Sequence, residues 1–199
     1  MRAATVTSGG LLGCILLGGC VDSDAQALAG FDTPSGLTVA GTARSRLFVS
    51  NSAQDTVQVL DLGEHLDEIN FVFGPARRFP LRIPAGLGPG DLATTFDRRY
   101  VVVLNLVSES LRLIDADTLL LVRDAKGEVL QLPLGKPGSR PTAMVASPVA
   151  CEGECVGRVY VALAGSGSVL GVDVTSSADG LRLDPARVYA VGGEPSALA

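Results

Sequence analysis

Few side chains in this sequence could perform chemistry, and the cysteines are the most informative of them. The chain of 199 residues has four cysteines, one histidine and no tryptophan. Cys151 and Cys155 enclose the short stretch Glu152-Gly153-Glu154. In an exported protein, two thiols at this spacing favour a disulfide, with a modest entropic benefit because the loop is short. The alternative is a metal site, but zinc normally needs four ligands and only the distant His65 could be added. We predict a disulfide and no metal.

Hydrolytic chemistry of the Ser-His-Asp type has little support in the sequence. The single His65 lies in residues 63–78, a stretch that the later repeats lack, and no Gly-x-Ser-x-Gly motif is present. We interpret residues 63–78 as a surface loop that absorbs an insertion, the alternative being a loop that reaches a ligand. One histidine also excludes any site built from several. The sequence therefore predicts no catalytic residue in the part of the protein present.

The amino terminus has the plan of a secretory signal. A single positive charge at Arg2 precedes the apolar run Leu11–Leu17, which is followed by small residues and Cys20. The run is too short to span a membrane. Leu17-Gly18-Gly19-Cys20 resembles the lipobox of bacterial lipoproteins, which implies lipidation of Cys20, a signal peptide over residues 1–19 and a tether over 20–33. Leu11–Cys14 fits the same pattern with a poorer apolar run, and an ordinary signal peptide with incidental cysteines is the other alternative.

Charge and composition limit the partners. The net charge is −5, the pI is about 4.8, and aromatic residues make up 5% of the chain. Because there is neither a basic stripe nor an aromatic platform, we expect no binding of nucleic acid. The 24 glycines and 11 prolines suit many short strands separated by tight turns.

A four-residue motif of a proline, two small or polar residues and an apolar residue recurs along the chain, and we call this motif the proline phrase. It begins at Pro34, Pro89, Pro141 and Pro195, at intervals of 55, 52 and 54 residues. Near-constant periods of this size indicate a repeat architecture. Within each unit, short runs rich in β-branched residues predict four strands; the run Tyr100–Leu104 is apolar throughout, which is typical of a strand covered on both faces.

Four strands per unit predict an all-β fold, a β-propeller of four-stranded antiparallel blades. The predicted blades are residues 34–88, 89–140 and 141–194, and the next unit starts at 195. The fourth strands are predicted at 79–83, 129–133 and 188–191. About three blades are present, where rings have about four to eight. We therefore expect a fragment of a larger ring with two apolar blade faces exposed, the alternative being a ring completed by oligomerisation.

Two stretches in each of the first two units resemble a known family. They are Phe48-Val49-Ser50-Asn51 with Thr56–Asp61, and Val102-Val103-Leu104-Asn105 with Ser110–Asp115. They resemble the YVTN-type propeller repeat of YncE-like and lactonase-like bacterial proteins, which implies a seven-bladed ring. The third unit departs from the pattern, because Leu163-Ala164 stands where Asn is expected. The motif is informative about fold and poor for function, since propellers host many activities.

The resemblance implies that the residues after each proline line the entrance of a central channel. They include Asp91, the one charged residue among them, which makes it the candidate ligand at the channel entrance. Enzyme sites normally bring several polar groups together, so a turn-capping aspartate is the plainer interpretation. Residues that recur in step with the repeat suggest turn hydrogen bonds rather than catalysis; these are Asn51, Asn105, Asp61, Asp115 and Asp173.

These observations lead to one functional expectation and one alternative. We expect an exported propeller, lipid-anchored to the bacterial cell envelope, that acts as a binding or scaffold module without a cofactor. Its contacts would be the membrane through the anchor alone and a protein or small molecule at the channel. The alternative is a lactonase-like or other propeller hydrolase or oxidoreductase whose catalytic residues lie mostly in blades outside this sequence.

Overall fold

The computed structural model describes residues 31–63, 69–74, 80–149, 151 and 153–198, which form three antiparallel β-sheets in chain order. No helix among these residues is long and apolar enough to cross a membrane. Each sheet is one blade, so the structure confirms the predicted all-β fold of four-stranded antiparallel blades.

The first blade has three full strands and a broken fourth. Its strands are β1 (Pro34–Ala40), β2 (Arg46–Asn51), β3 (Thr56–Leu62), β4 (Ile69–Phe71) and β5 (Arg82–Pro84). Both β4 and β5 pair with β3, at opposite ends of it. They are therefore two halves of one outer strand. This corrects the prediction of a loop over 63–78 and a fourth strand at 79–83.

The second blade repeats this arrangement. Its strands are β6 (Pro89–Thr94), β7 (Tyr100–Asn105), β8 (Ser110–Asp115), β9 (Leu120–Leu121) and β10 (Gln131–Pro133). The outer position is again divided, with β9 and β10 on the two ends of β8. The predicted fourth strand at 129–133 is thus only the second half of it.

The third blade is the most regular. It contains β11 (Pro141–Ala146), β12 (Cys155–Leu163), β13 (Ser168–Ser177) and β14 (Gly180–Ala190) in the order of the chain. Strands β13 and β14 form a long hairpin, so the fourth strand starts well before the predicted 188–191. Its pairing with β13 shifts register between Gly171 and Val172.

The hydrophobic core consists of two layers between successive blades. In β7, Val101 and Val103 pack into the layer shared with the first blade, while Val102 and Leu104 pack into the layer shared with the third. Alternate residues of a strand point to opposite faces, so one apolar run serves both layers. The prediction that Tyr100–Leu104 is covered on both faces is confirmed, since the whole strand is buried.

Candidate functional site

The first strands of the three blades lie next to one another, and their proline phrases are adjacent. Strand β1 contacts β6, and β6 contacts β11. In each of them the pairing with the next strand shifts register just after the proline. Such an irregularity bends the strand and re-aims its side chains. The residues predicted at the channel entrance are therefore brought to the junctions between blades.

Hydroxyl groups that follow the prolines donate hydrogen bonds to the next repeat unit. Ser35 Oγ donates to the carbonyl oxygen of Pro89 over 2.9 Å, and Thr142 Oγ1 donates to that of Pro195 over 2.7 Å. Both hydroxyls directly follow the proline of their own phrase, and both acceptors are the proline of the next phrase. The small polar residues of the phrase thus tie one repeat unit to the following one.

Asp91 makes a tie of the same kind. Its Oδ2 accepts a hydrogen bond of 2.8 Å from the backbone N–H of Met144 in β11. Among the residues that the structure describes, no three His, Cys, Asp or Glu side chains are grouped so that they could hold a metal ion. The position of Asp91 suits a connection between blades, and its role as a channel ligand stays a prediction.

A second set of ties uses acidic residues at the turn between the second and third strands of a blade. Asp55 Oδ1 accepts from the N–H of Gly88 over 2.7 Å. Glu109 accepts from three successive N–H groups in the loop that leads to the third blade, those of Gly138, Ser139 and Arg140, over 2.8, 3.2 and 3.0 Å. Each carboxylate therefore fixes the loop that enters the next blade.

These turn residues share a rare backbone conformation. Asp55 and Glu109 have φ of 55° and 45°, and Gly167 has 58° at the same turn of the third blade. Asp55 and Glu109 were not among the predicted site residues, although their separation of 54 residues matches the repeat. The hydrogen bonds from the backbone, that from Arg140 first, hold the pKa of Glu109 below its ordinary value of 4.5.

At the opposite end of the blades, Asp117 ties the second blade back to the first. Its carboxylate accepts from the hydroxyl and the N–H of Thr42 and from the N–H of Ala43. These bonds, with the Thr42 hydroxyl first, lower the pKa of Asp117. Arg46 adds to the same contact, because its guanidinium donates to the carbonyl oxygens of Ala116 and Asp117.

The recurring aspartates form one ion pair in each blade. The N···O distances are 3.4, 3.6 and 2.5 Å for the pairs Arg44–Asp61, Arg99–Asp115 and Arg158–Asp173. The predicted turn hydrogen bonds are present at Asp115, whose Oδ1 accepts from the N–H groups of Asp117 and Thr118. The Arg158–Asp173 pair is bidentate, and Asp115 and Asp173 are mostly buried, whereas Arg44–Asp61 is the most exposed of the three and contributes little stability.

The recurring asparagines are fully buried and behave differently from each other. Asn51 Oδ1 accepts from the N–H of Asp32 over 3.2 Å. The amide of Asn105 has no hydrogen-bond partner in the described part of the chain. It is pressed against Gly86, where a Cβ would lie 2.7 Å from the Asn105 amide carbon. The predicted turn hydrogen bond is therefore found at neither position: Asn51 bonds to Asp32 before β1 and makes no side-chain bond to its own turn.

Two of the four cysteines lie among the residues that the structure describes. Cys151 and Cys155 form a disulfide with a Cα–Cα distance of 5.5 Å, at the start of β12. The lipidation candidate Cys20, its alternative Cys14 and the single His65 lie outside the described residues.

The surface has cavities near the outer strands. One of about 660 Å³ lies beside β5 and β9, and its apolar lining includes Ile83, Leu119 and Leu121. Another of about 570 Å³ lies between the second and third blades, around Leu134 and Leu170. Neither includes the residues of the proline phrases. Both cavities are thus separate from the proline phrases, and the lining of the first also includes Tyr100, Asp115 and Arg123.

Comparison with known proteins supports the fold. No protein-family model matches the chain, and no curated protein is significantly similar to it in sequence. Among solved structures, hydrazine synthase of Kuenenia stuttgartiensis has a TM-score of 0.54 and 16% identity over 84% of this chain and 38% of its own. A protein of unknown function from Desulfotomaculum acetoxidans has a TM-score of 0.56 and 15% identity over 79% and 42%.

A proposed 6-phosphogluconolactonase of Bacteroides uniformis is similar to the same degree. Its TM-score is 0.52 with 12% identity, over 82% of this chain and 43% of its own. At sequence identities this low, the similarity is evidence for the fold alone. That fold is the architecture of part of a β-propeller. It spans about two fifths of the length of these solved structures.

Proposed function

We propose that this chain is the β-propeller part of an exported binding or scaffold protein, with YVTN-type repeats and a lipid anchor on Cys20 in the bacterial cell envelope. The main observation in support of a binding role is that the polar side chains of the first strands β1, β6 and β11 connect successive repeat units. Ser35, Asp91 and Thr142 each make a hydrogen bond to the next blade. Where a propeller enzyme would present reactive groups at the channel entrance, this chain uses its polar side chains to join blades.

Two further features support export and anchoring. The apolar run before Cys20 has the length and flanks of a secretory signal. The Cys151–Cys155 disulfide suits an oxidising compartment. The partners of such a protein are the membrane through the anchor, and a protein or small molecule on the propeller. The net charge of −5 argues against nucleic acid.

The anchor is tested by expressing the full chain in bacteria fed an alkyne fatty acid. Wild type and Cys14→Ser should carry the label and sediment with membranes, whereas Cys20→Ser should do neither. Cys14→Ser is the matched control, because it removes the other cysteine with a lipobox-like flank. A mature protein that retains residues 1–19 unmodified in the mass spectrum would contradict the anchor.

The binding role is tested against the enzymatic alternative by following hydrolysis of 6-phosphogluconolactone by the protein expressed from its whole gene, so that any blades outside this sequence are present. We expect wild type and Asp91→Asn to give the rate of buffer alone. A rate above buffer that falls in Asp91→Asn would support a lactonase-like enzyme and overturn the proposed role.

A further inference from the structure

Three exposed aliphatic residues lie on a loop and a turn that touch at one end of the second blade. Leu87, in the loop before β6, is 54% exposed, and Leu106 and Val107, in the turn after β7, are 37% and 71% exposed. The N–H of Val107 donates to the carbonyl oxygen of Leu87 over 3.3 Å. The loop and the turn are therefore in direct contact, and we call these three residues the blade 2 tip.

Glycines in the loop hold the tip in place. A Cβ on Gly88 would lie 2.6 Å from Cγ2 of Val107, and a Cβ on Gly90 would lie 2.8 Å from Cδ1 of Leu106. The side chains of the turn thus rest directly on glycine backbone. Leu106 also donates its N–H to the carbonyl oxygen of Gly88 over 2.8 Å. An apolar surface fixed in this way is pre-organised, which lowers the entropy cost of binding.

The repeat gives an internal control for the tip. The strand registers place Asn51, Asn105 and Leu163 at the same position, so the residues that follow them are equivalent. The tip therefore has small or polar counterparts in the other blades: Asp32, Ser52 and Ala53 in the first, and Ser139, Ala164 and Gly165 in the third. Since two blades fold without large apolar side chains at these positions, the tip is not a requirement of the fold. Exposed apolar clusters of this kind mark interaction sites.

Negative charge borders the tip on both sides. Asp55 binds the N–H of Gly88, and Glu109 lies two residues beyond Val107 with its carboxylate held by three backbone N–H groups. A shallow groove of about 400 Å³ continues from the tip along a proline-rich loop. The cations of this loop are Lys136 and Arg140, and Arg140 is paired with Glu194 over 3.5 Å. The groove is lined by Val107, Ser108, Glu109, Pro133, Gly135, Pro137 and Gly138. An extended segment with an apolar anchor and basic neighbours complements this surface.

We propose that the blade 2 tip is a docking site for a protein partner, which inserts an extended segment bearing an apolar side chain flanked by Lys or Arg. This rests on the proposed binding function and assigns it a surface and a class of partner. The carboxylates beside the tip favour such a segment over an anionic membrane surface.

The test is a selection of displayed random dodecapeptides on the full-length protein. The variant L106S/V107A copies the residues of the first blade and removes most of the tip, and Leu87→Ser is a second, independent variant. Phe96→Ser is the matched control, because Phe96 is 58% exposed in the turn after β6, outside the tip. Circular dichroism checks that each variant is folded.

We expect the selected peptides to contain apolar residues next to Lys or Arg. Their binding should weaken at least about tenfold in L106S/V107A and also in Leu87→Ser, as for a buried anchor, and should not change in Phe96→Ser. Peptides that bind both tip variants as well as wild type would overturn the docking site while leaving a binding function elsewhere on the propeller. Tip-dependent binding of phosphatidylcholine vesicles without peptide binding would overturn it in favour of a membrane contact.

Discussion

At the scale of single residues, polar side chains that recur with the repeat hold each blade to the next. The hydroxyls of Ser35 and Thr142 and the carboxylate of Asp91 bond to the backbone of the following unit, and the carboxylates of Asp55 and Glu109 bond to the loop that leads to it. Backbone N–H groups and carbonyls at a junction need partners when they are removed from water. The side chains supply these partners where regular strand pairing ends.

The tie made by Glu109 predicts a pH dependence of stability. Its pKa is lower in the folded protein than its ordinary value of 4.5, so its contribution is complete above that value and is lost as the pH falls through the folded pKa. Glu109→Gln should therefore be less stable than wild type at pH 7, with a difference that shrinks on acidification. Urea unfolding between pH 7 and pH 3 measures this.

Glu128→Gln is the control for the Glu109 experiment, because Glu128 is an exposed glutamate in the hairpin of the second blade. It should leave the unfolding midpoint almost unchanged over the same range. A difference between wild type and Glu109→Gln that stays constant with pH would show that the carboxylate charge does not matter.

Gly36 marks the closest approach of two blades. A Cβ there would collide with the carbonyl oxygen of Gly90, to which Ser50 Oγ donates over 2.6 Å. Gly36→Ala should therefore destabilise the fold by about 1–3 kcal/mol, as other overpacked sites do. Gly193→Ala is the control for thermal unfolding, because a Cβ added at Gly193 would have no atom within 4 Å beyond its neighbours in the chain. Equal stability of the two variants would mean that the blades are further apart than described.

At the scale of elements, the broken outer strands distinguish the first two blades from the third. The N–H of Val72 donates to Val59 O and that of Val122 donates to Leu113 O, so the chain leaves the sheet at equivalent points. An isolated antiparallel bridge follows in each case, Phe73–Pro80 in the first blade and Arg123–Val129 in the second. The interruption is therefore a feature of the repeat rather than an irregular insertion.

The third blade carries the disulfide in the loop before β12. Its closed loop has five residues, for which the chain-entropy relation gives a stabilisation of about 2 kcal/mol. C151S/C155S should thus lower stability by about that amount or less and keep the fold. Denaturant unfolding of this variant, compared with wild type under reducing and oxidising conditions, measures it. Loss of folding would mean that the disulfide organises the blade.

Equivalent positions in successive blades differ in burial, which predicts different costs for one substitution. Leu37, Leu92 and Met144 pair with equivalent residues of the second strand, yet Leu37 is 69% exposed while Leu92 and Met144 are each 8% exposed. Leu92→Ala should cost about 2–5 kcal/mol because it opens a cavity between blades. Leu37→Ala should change stability by less than about 0.5 kcal/mol. Similar costs in chemical denaturation would contradict the assigned packing.

At the scale of the whole molecule, the features that depend on short stretches of sequence could be predicted. The proline phrase and the alternating or fully apolar strands predict the number of blades and their order, since both depend on neighbouring residues. The ties of Asp55 and Glu109 depend on residues about 30 positions away, which no local pattern contains. The breaks in the outer strands at Val72 and Val122 could not be predicted either, because an interrupted outer strand and a loop have similar compositions.

Successive repeat units stack as blades with their first strands side by side. Thr38 Oγ1 in β1 and Thr94 Oγ1 in β6 are 2.7 Å apart across the first junction. The most direct test is disulfide formation in T38C/T94C, with Cys14 and Cys20 replaced by serine, followed by mass spectrometry of proteolytic fragments. T38C/T142C is the control, because Thr142 lies in β11, the first strand of the third blade. We predict an efficient intrachain 38–94 crosslink and none between 38 and 142; absence of the first crosslink under oxidising conditions would contradict the arrangement of the blades.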